Sequence, residues 1–132
     1  MKTRFALTIA LAPLALAACN QERPAERPAV APAAKVVGEA EKCIPITQIR
    51  STRIRDDWTI DFMGAGSKVW RNTLPNRCPS LKSEDAFTYK TSLSQLCNTD
   101  IIYVLRHVGG DLQRGAGCGL GLFVPVELEK KK

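Results

Sequence analysis

The stretch that decides the fold is WTIDFMGAGSKVWRNT, residues 58–73. From residue 58 to residue 63, apolar and polar side chains alternate, with the period of two that is typical of a half-buried strand. Gly64-Ala65-Gly66-Ser67 has the composition of a short hairpin loop. Residues 68–73 are then expected to return as an antiparallel strand, so this stretch predicts a β-hairpin.

Further strands are predicted on both sides of this hairpin. Residues 49–55 precede it across the Asp56-Asp57 turn, which extends the hairpin to a meander. Residues 86–91 alternate, and residues 101–105 are almost wholly apolar, as a strand buried on both faces would be.

The intervening segments carry loop and turn signals. Residues 74–85 contain two prolines, and residues 107–114 carry a pair of glycines, so both are expected to be loops. Ser92 to Gln95 has capping-box spacing, which predicts a single helical turn. Residues 43–48, which Pro45 interrupts, are compatible with either a strand or a helical turn.

Glycines recur at every second position from Gly115 to Gly121. The spacing is not that of a phosphate-binding GxGxxG loop, and Pro125 follows too closely for a helix. In an extended chain all four glycines lie on one face and Cys118 points inward from the other. We therefore expect a strand that passes close to another backbone or bends at a bulge.

Together these signals predict a mainly β fold, a small antiparallel barrel or sandwich of five to six strands stapled by disulfides, with one short helical turn. The predicted core consists of Ile54, Ile60, Phe62, Val69, Phe87, Tyr89, Ile101, Tyr103, Leu120 and Leu122. Trp58 and Trp70 are expected in the core or at its edge rather than as a carbohydrate platform.

Residues 16–19, Leu-Ala-Ala-Cys, indicate the compartment. They follow two basic residues and about a dozen apolar ones, which is typical of a secretory signal and too short for a spanning helix. The four residues resemble a bacterial lipobox, in which the cysteine sulfur receives a diacylglycerol and the freed amine an acyl chain. We expect Cys19 to anchor the protein in the bilayer, and Asn20 after it favours the outer membrane, facing the periplasm.

The sequence divides into four segments. Residues 1–18 are the signal peptide, and residues 19–42, rich in proline and alanine, are the lipidated cysteine and a disordered tether. Residues 43–127 form the four-cysteine β domain, and residues 128–132 a basic tail. Removing the two basic residues of the signal leaves 17 against 13 acidic ones, and the domain itself is only +2. Nucleic-acid binding is not expected, because that function needs a basic stripe on the folded face.

Four cysteines belong to the β domain: Cys43, Cys78, Cys97 and Cys118. An even number in an exported chain predicts two disulfides. A zinc site is the competing interpretation, but no CxxC pair is present, so no metal and no cofactor are expected. Three connectivities are open. We expect Cys78–Cys97 nested inside Cys43–Cys118, because this arrangement ties the two ends of the domain together.

Four runs carry a resemblance to a known group of proteins: CIPITQIRSTRIRDDWTIDF, RNTLPNRCPSL, AFTYKTSLSQLC followed by Asp100-Ile101, and CGLGLFVPV. They resemble an uncharacterised family of small exported four-cysteine proteins of proteobacteria. The resemblance spans residues 43–126. It implies export and a four-cysteine domain, and it assigns no functional residues.

Two classes of function remain. The first is a non-enzymatic binding or envelope-maintenance module, with Arg53, Arg55, Arg71 and Asn72 as a face for an envelope protein or an anionic envelope component. The second is a small periplasmic hydrolase that uses aspartates with the single histidine. Its residues would be Asp61, Asp100, Asp111 and His107. The binding module is preferred, because His107 lacks an obvious partner and is expected in an exposed loop.

The lipobox generates a direct prediction. Cys19→Ala should move the protein from the membrane fraction to a soluble or unprocessed form, because the acyl chains supply the bilayer affinity. Metabolic labelling with a tagged fatty acid should mark the wild type and not the variant. A wild type without label would contradict lipidation.

Overall fold

The computed structural model describes residues 31–91 and 93–129. The residues predicted to form the signal peptide, the lipobox and the first part of the tether lie outside this part of the chain, as do Ser92 and the three terminal lysines.

Within the described residues, ten strands form three antiparallel sheets, and two short helices lie between strands. The strands are β1 (Ala34–Val36), β2 (Cys43–Pro45), β3 (Ser51–Ile54), β4 (Thr59–Met63), β5 (Val69–Thr73), β6 (Phe87–Tyr89), β7 (Gln95–Cys97), β8 (Ile101–Val108), β9 (Asp111–Gly119) and β10 (Phe123–Leu128). A 3₁₀ helix (Ile46–Gln48) follows β2, and α1 (Leu81–Glu84) precedes β6.

The largest sheet has the strand order β1-β10-β5-β4-β3, so β1 and β3 are its two edges. The second sheet has the order β6-β8-β9, and β2 pairs with β7 in the third. The meander predicted around residues 58–73 is confirmed as β3-β4-β5. None of the described sheets closes on itself, so the mainly β fold is confirmed as a sandwich-like arrangement. The predicted number of strands, five to six, is lower than the ten observed in the described residues. Four of these ten strands have only three residues, which is too short for a clear sequence pattern.

The helical turns lie elsewhere than predicted. Leu81–Glu84 forms one α-helical turn inside the segment expected to be a loop. Gln95, which was expected to complete a capping box, instead begins β7 and pairs with Pro45. Cross-strand pairing with β2 therefore overrides the local capping signal. Residues 43–48 contain both predicted conformations in succession. Cys43–Pro45 is a strand, and Ile46–Gln48 is a 3₁₀ turn.

The ordered chain reaches beyond the predicted 43–127 domain. β1, inside the segment assigned to the tether, pairs with β10 through Ala34 and Leu128. Glu41 exchanges two backbone hydrogen bonds with Phe123. Its side-chain carboxylate accepts a hydrogen bond from the Trp70 indole N–H at 2.9 Å. The composition of the tether concealed this strand, because β1 is short and two of its residues are exposed.

The core lies where the three sheets meet. Phe62 packs edge-on against Phe123 from its own sheet and Phe87 from β6, with ring centroids 5.4 and 6.3 Å apart. Trp70 is fully buried, as expected, and Trp58 is half-buried. Fully buried or nearly so are Ile44, Ile54, Ile60, Phe62, Trp70, Leu74, Leu81, Leu96, Ile102, Val104, Leu120 and Phe123.

The predicted core is confirmed for five of its ten residues: Ile54, Ile60, Phe62, Val69 and Leu120. Phe87, Tyr89 and Tyr103 are half-buried. The other two are exposed, Ile101 by 47% and Leu122 by 44%. β8 covers the core with one face only, the face of Ile102 and Val104, so the expectation of two buried faces was wrong.

β8 and β9 form a long hairpin through the segment that was expected to be a loop. Gly109 and Gly110 both have positive φ, 59° and 90°, so they close a two-residue turn that suits the twist of the strands. The strands continue up to the turn, with Val108 opposite Asp111. The polar composition of residues 106–114 reflects exposure on both faces.

The close backbone approach expected from the glycine repeat is found at Gly121. A Cβ atom there would overlap the carbonyl of Thr73. Gly115 and Gly117 instead leave room for the side chains of Arg106 and Tyr103, which lie across them from β8. Cys118 points inward, as predicted.

Both disulfides are formed, but the predicted pairing was wrong. Cys43 bonds to Cys97 and Cys78 bonds to Cys118. Cys43 and Cys97 lie directly opposite each other on β2 and β7, a register that spacing along the chain does not reveal. Cys78 is held near the meander by its backbone bond to the Asp57 carbonyl, so its bridge to β9 joins the first two sheets.

The observed bridges predict the result of disulfide mapping. Non-reducing peptide mapping should recover Cys43 linked to Cys97 and Cys78 linked to Cys118, and the nested pairs would contradict the fold. Replacing Cys78 and Cys118 together by alanine should lower the free energy of unfolding by about 2–4 kcal/mol, because the unfolded chain gains freedom. Urea denaturation measures this loss.

Candidate functional site

The charged cluster of the large sheet is centred on Asp61. Its register places it opposite Arg53 on β3 and opposite Arg71 on β5. The side chain of Asp61 is completely buried. A carboxylate without water needs charged partners and several hydrogen bonds, because its desolvation costs several kcal/mol.

Two guanidinium groups supply these bonds. Arg71 donates from Nε and Nη2 to the two oxygens of Asp61, at 2.8 and 3.0 Å. Arg55 donates from Nε to Oδ2 at 2.7 Å. The side chains of Arg55 and Arg71 are 18% and 15% exposed, so both ion pairs are largely shielded from water. The cluster therefore carries a net charge of +1 at the surface of the sheet.

Each of the three nitrogens of the Arg71 guanidinium already donates one hydrogen bond within the protein. Its Nη1 donates to the carbonyl of Pro32 at 2.7 Å, so the guanidinium joins the segment before β1 to the middle of the sheet. These bonds give Arg71 a structural role, and its place in the predicted ligand face stays a prediction.

Asn72 also differs from the prediction, because neighbouring residues in a strand point to opposite faces. It is fully buried on the core side. Its amide accepts from Gly121 N at 2.8 Å and donates to Gly121 O at 2.7 Å. Asn72 thus holds the glycine whose close contact with Thr73 allows the chain to enter β10.

The other two predicted ligand residues line a cleft of about 440 Å³. Arg53 is exposed, and its side chain makes no ion pair or hydrogen bond with the described part of the chain. Arg55 also lines the cleft, and the N–H groups of its guanidinium that do not bond to Asp61 are its remaining donors. The cleft is lined by Thr52, Arg53, Ile54 and Arg55 from the first sheet and by Lys82, Asp85, Ala86 and Phe87 from the segment around α1 and β6.

The cleft lies between two open sheet edges, those of β3 and β6. Arg55 N bonds to Thr59 O, which fixes the alternation along the β3-β4 ladder. By this alternation, the backbone groups of Thr52 and Ile54 point away from β4, toward the cleft. Lys82 Nζ donates to Ile54 O at 3.0 Å, so one of these carbonyls is occupied.

The segment that carries Lys82 is fixed by Asp57. The Asp57 carboxylate accepts from the Lys82 backbone N at 2.9 Å and pairs with Arg77 at 2.7 Å. Both residues that flank α1, Ser80 and Asp85, have left-handed backbone conformations, with φ of 65° and 51°. Such conformations are unfavourable outside glycine, so the surrounding contacts must hold the turn in place.

The residues of the alternative hydrolase are not brought together. Asp61 is enclosed by its two arginines, and Asp100 accepts a hydrogen bond from Cys97 N at 2.7 Å. His107 and Asp111 lie exposed near the end of the β8-β9 hairpin. The side chain of His107 faces Glu84, with Nδ1 and Oε2 3.9 Å apart. Within the described ranges, no cluster of histidine, cysteine or acidic residues could hold a metal ion.

Six residues that line the cleft were not predicted as part of a site: Thr52, Ile54, Lys82, Asp85, Ala86 and Phe87. Lys82 and Asp85 lie in a segment expected to be a loop, and Phe87 was assigned to the core. No local signal could have placed them beside Arg53, because the cleft exists only through the meeting of two sheet edges.

No family model, curated protein or solved structure matches the chain. No helix formed by the described residues has the length and apolar character that crossing a membrane requires.

The buried carboxylate generates a stability prediction. Asp61→Asn removes the negative charge and leaves Arg55 and Arg71 facing each other, so the free energy of unfolding should fall by about 2–4 kcal/mol. The control is Arg77→Ala, which breaks an ion pair whose arginine is 64% exposed and should cost about 0–1 kcal/mol. Equal losses in urea denaturation would contradict the central role of Asp61.

Proposed function

We propose that this protein is a lipid-anchored, non-enzymatic binding module of the bacterial envelope, and that its cleft binds an anionic envelope component. The proposal rests on the charges of the cleft beside β3. Its lining contains three basic residues, Arg53, Arg55 and Lys82, and one acidic residue, Asp85.

The proposed compartment rests on two independent features. The lipobox ending at Cys19 favours export and lipidation, with the outer membrane, facing the periplasm, as the proposed location. The two disulfides agree with an oxidising compartment, where such bonds persist.

The chemistry of the cleft favours a carboxylate or phosphate ligand. A guanidinium is planar and can donate two parallel hydrogen bonds to either group. Arg53 is exposed and has no partner among the described residues, so binding would not have to break an existing ion pair. Arg55 is held in place by Asp61, which reduces the conformational freedom that binding would otherwise restrict.

The strand order agrees with an anchored binding module. Of the strands in the described residues, β1 is the closest in sequence to Cys19. It forms one edge of the large sheet, and β3 forms the other. The cleft therefore opens at the edge farthest from the anchored strand, where a component of the envelope could approach.

A charge-reversal pair tests this proposal. The chain with Cys19→Ala should bind two anionic probes, polyphosphate and polyglutamate, and Arg53→Glu should weaken binding by about tenfold or more, because it places a negative charge in the cleft. Fluorescence anisotropy with labelled probes measures the affinity.

The matched control is Arg50→Glu, which makes the same charge change at an exposed position that lines a different groove. Its effect should be much smaller. Equal weakening by the two variants would assign binding to overall charge rather than to the cleft. Failure of both probes to bind the parent chain would contradict the proposed function.

A further inference from the structure

The edge of β3 that faces the cleft has unused backbone hydrogen-bonding groups. β3 pairs with β4 on one side only. Thr52 is exposed, and its N–H and C=O point away from β4, with no backbone partner among the described residues. Such an edge is a template for a further extended strand.

β6 forms the opposite wall with a second open edge. Leu105 N bonds to Ala86 O, which places the backbone groups of Phe87 on the side away from β8. Phe87 is half-buried, and both Phe87 and Ile54 are among the residues that line the cleft. The cleft thus combines a polar backbone edge with apolar surface that one alternate side chain of an extended peptide could cover.

We propose that the cleft binds an extended, acidic segment of polypeptide, which adds to β3 as an outer strand. This inference rests on the proposed function and narrows the anionic component to a protein segment. The peptide backbone would bond to Thr52, and acidic side chains on the face of Arg53 would meet that guanidinium and the remaining donors of Arg55. In this binding mode, main-chain bonds supply affinity and alternate side chains supply specificity.

A peptide fits these observations better than a phosphate or a sugar polymer. Charge alone would be satisfied by any anion, but the N–H and C=O of Thr52 form a donor and acceptor pair with strand spacing. An antiparallel peptide presents the complementary pair at the same spacing. Every strand pairing in the described chain is antiparallel, and a peptide added to β3 in that direction would continue this pattern.

The same edge disfavours a second copy of this chain as the occupant. Pairing β3 with itself would bring Arg53, Arg55 and Lys82 of two molecules together, and like charges across a ladder are destabilising. Lys82 also bonds to the Ile54 carbonyl, which shields part of the edge. A lysine at an edge is a known protection against self-association, whereas an acidic strand is attracted to it.

The test uses a capped octapeptide of alternating threonine and glutamate, titrated into the chain with Cys19→Ala. Two further octapeptides carry N-methyl groups, one on the threonine nitrogens and the other on the glutamate nitrogens. Alternate amides of a strand point to opposite edges, so only one methylated peptide should lose the bonds to β3. We expect that peptide to bind about tenfold more weakly or worse than the other.

A variant pair tests the same edge on the protein. Thr52→Pro removes the N–H that faces the cleft and leaves the ladder with β4 intact, so it should weaken binding of the unmethylated peptide. Thr52→Ala keeps the N–H and is the control. A thermal melt measures whether both variants are folded. If Thr52→Pro is unfolded, the two methylated peptides still test the edge of β3 on the wild-type protein.

The outcomes separate this inference from the proposed function. Equal binding of the two methylated peptides would overturn strand addition, and so would binding of polyphosphate without binding of the acidic octapeptide. In both cases the anion-binding cleft would stand. If neither anionic polymer nor the octapeptide binds, the proposed function fails with it. A lysine-threonine octapeptide that binds as well as the acidic one would also overturn the inference.

Discussion

The structure depends on a negative charge that has no access to water. Asp61 lies in β4, between the neighbouring strands β3 and β5, and its carboxylate is stable there only because Arg55 and Arg71 enclose it. Arg71 also holds Pro32, so the same cluster fixes the segment that leads into β1. Arg55 and Arg71 are therefore partly buried, and Arg55 presents to the cleft a guanidinium that Asp61 already orients.

The parts of the fold that sequence predicted are those with strong local signals. The alternation in residues 58–63 and the glycine-containing loop after it predicted the hairpin that is observed as β4 and β5. Parts that depend on distant contacts were not accessible. Cys43 and Cys97 meet because β2 pairs with β7, and that pairing involves two three-residue strands with no distinctive pattern of their own.

The candidate site was predicted in part for the same reason. Arg53 and Arg55 lie two residues apart, so the period of a strand placed them on one face. Asn72 was wrongly added to that face, although its neighbour Arg71 is on it. The role of Asp61 was not predicted, because burial of a polar position depends on what covers the sheet. Lys82 was missed, since its contacts with Asp57 and with the Ile54 carbonyl of β3 depend on tertiary structure.

We propose that the outer edge of β3 is open and binds an acidic strand. Amide hydrogen exchange of the chain with Cys19→Ala, resolved by residue with NMR, tests it most directly. In the free protein the Thr52 amide should exchange quickly, whereas the Arg55 amide, bonded to Thr59, should exchange slowly. Saturation with the acidic octapeptide should slow exchange at Thr52 by about tenfold or more. A Thr52 amide that is already as protected as Arg55, or one whose exchange the bound peptide leaves unchanged, would contradict the account.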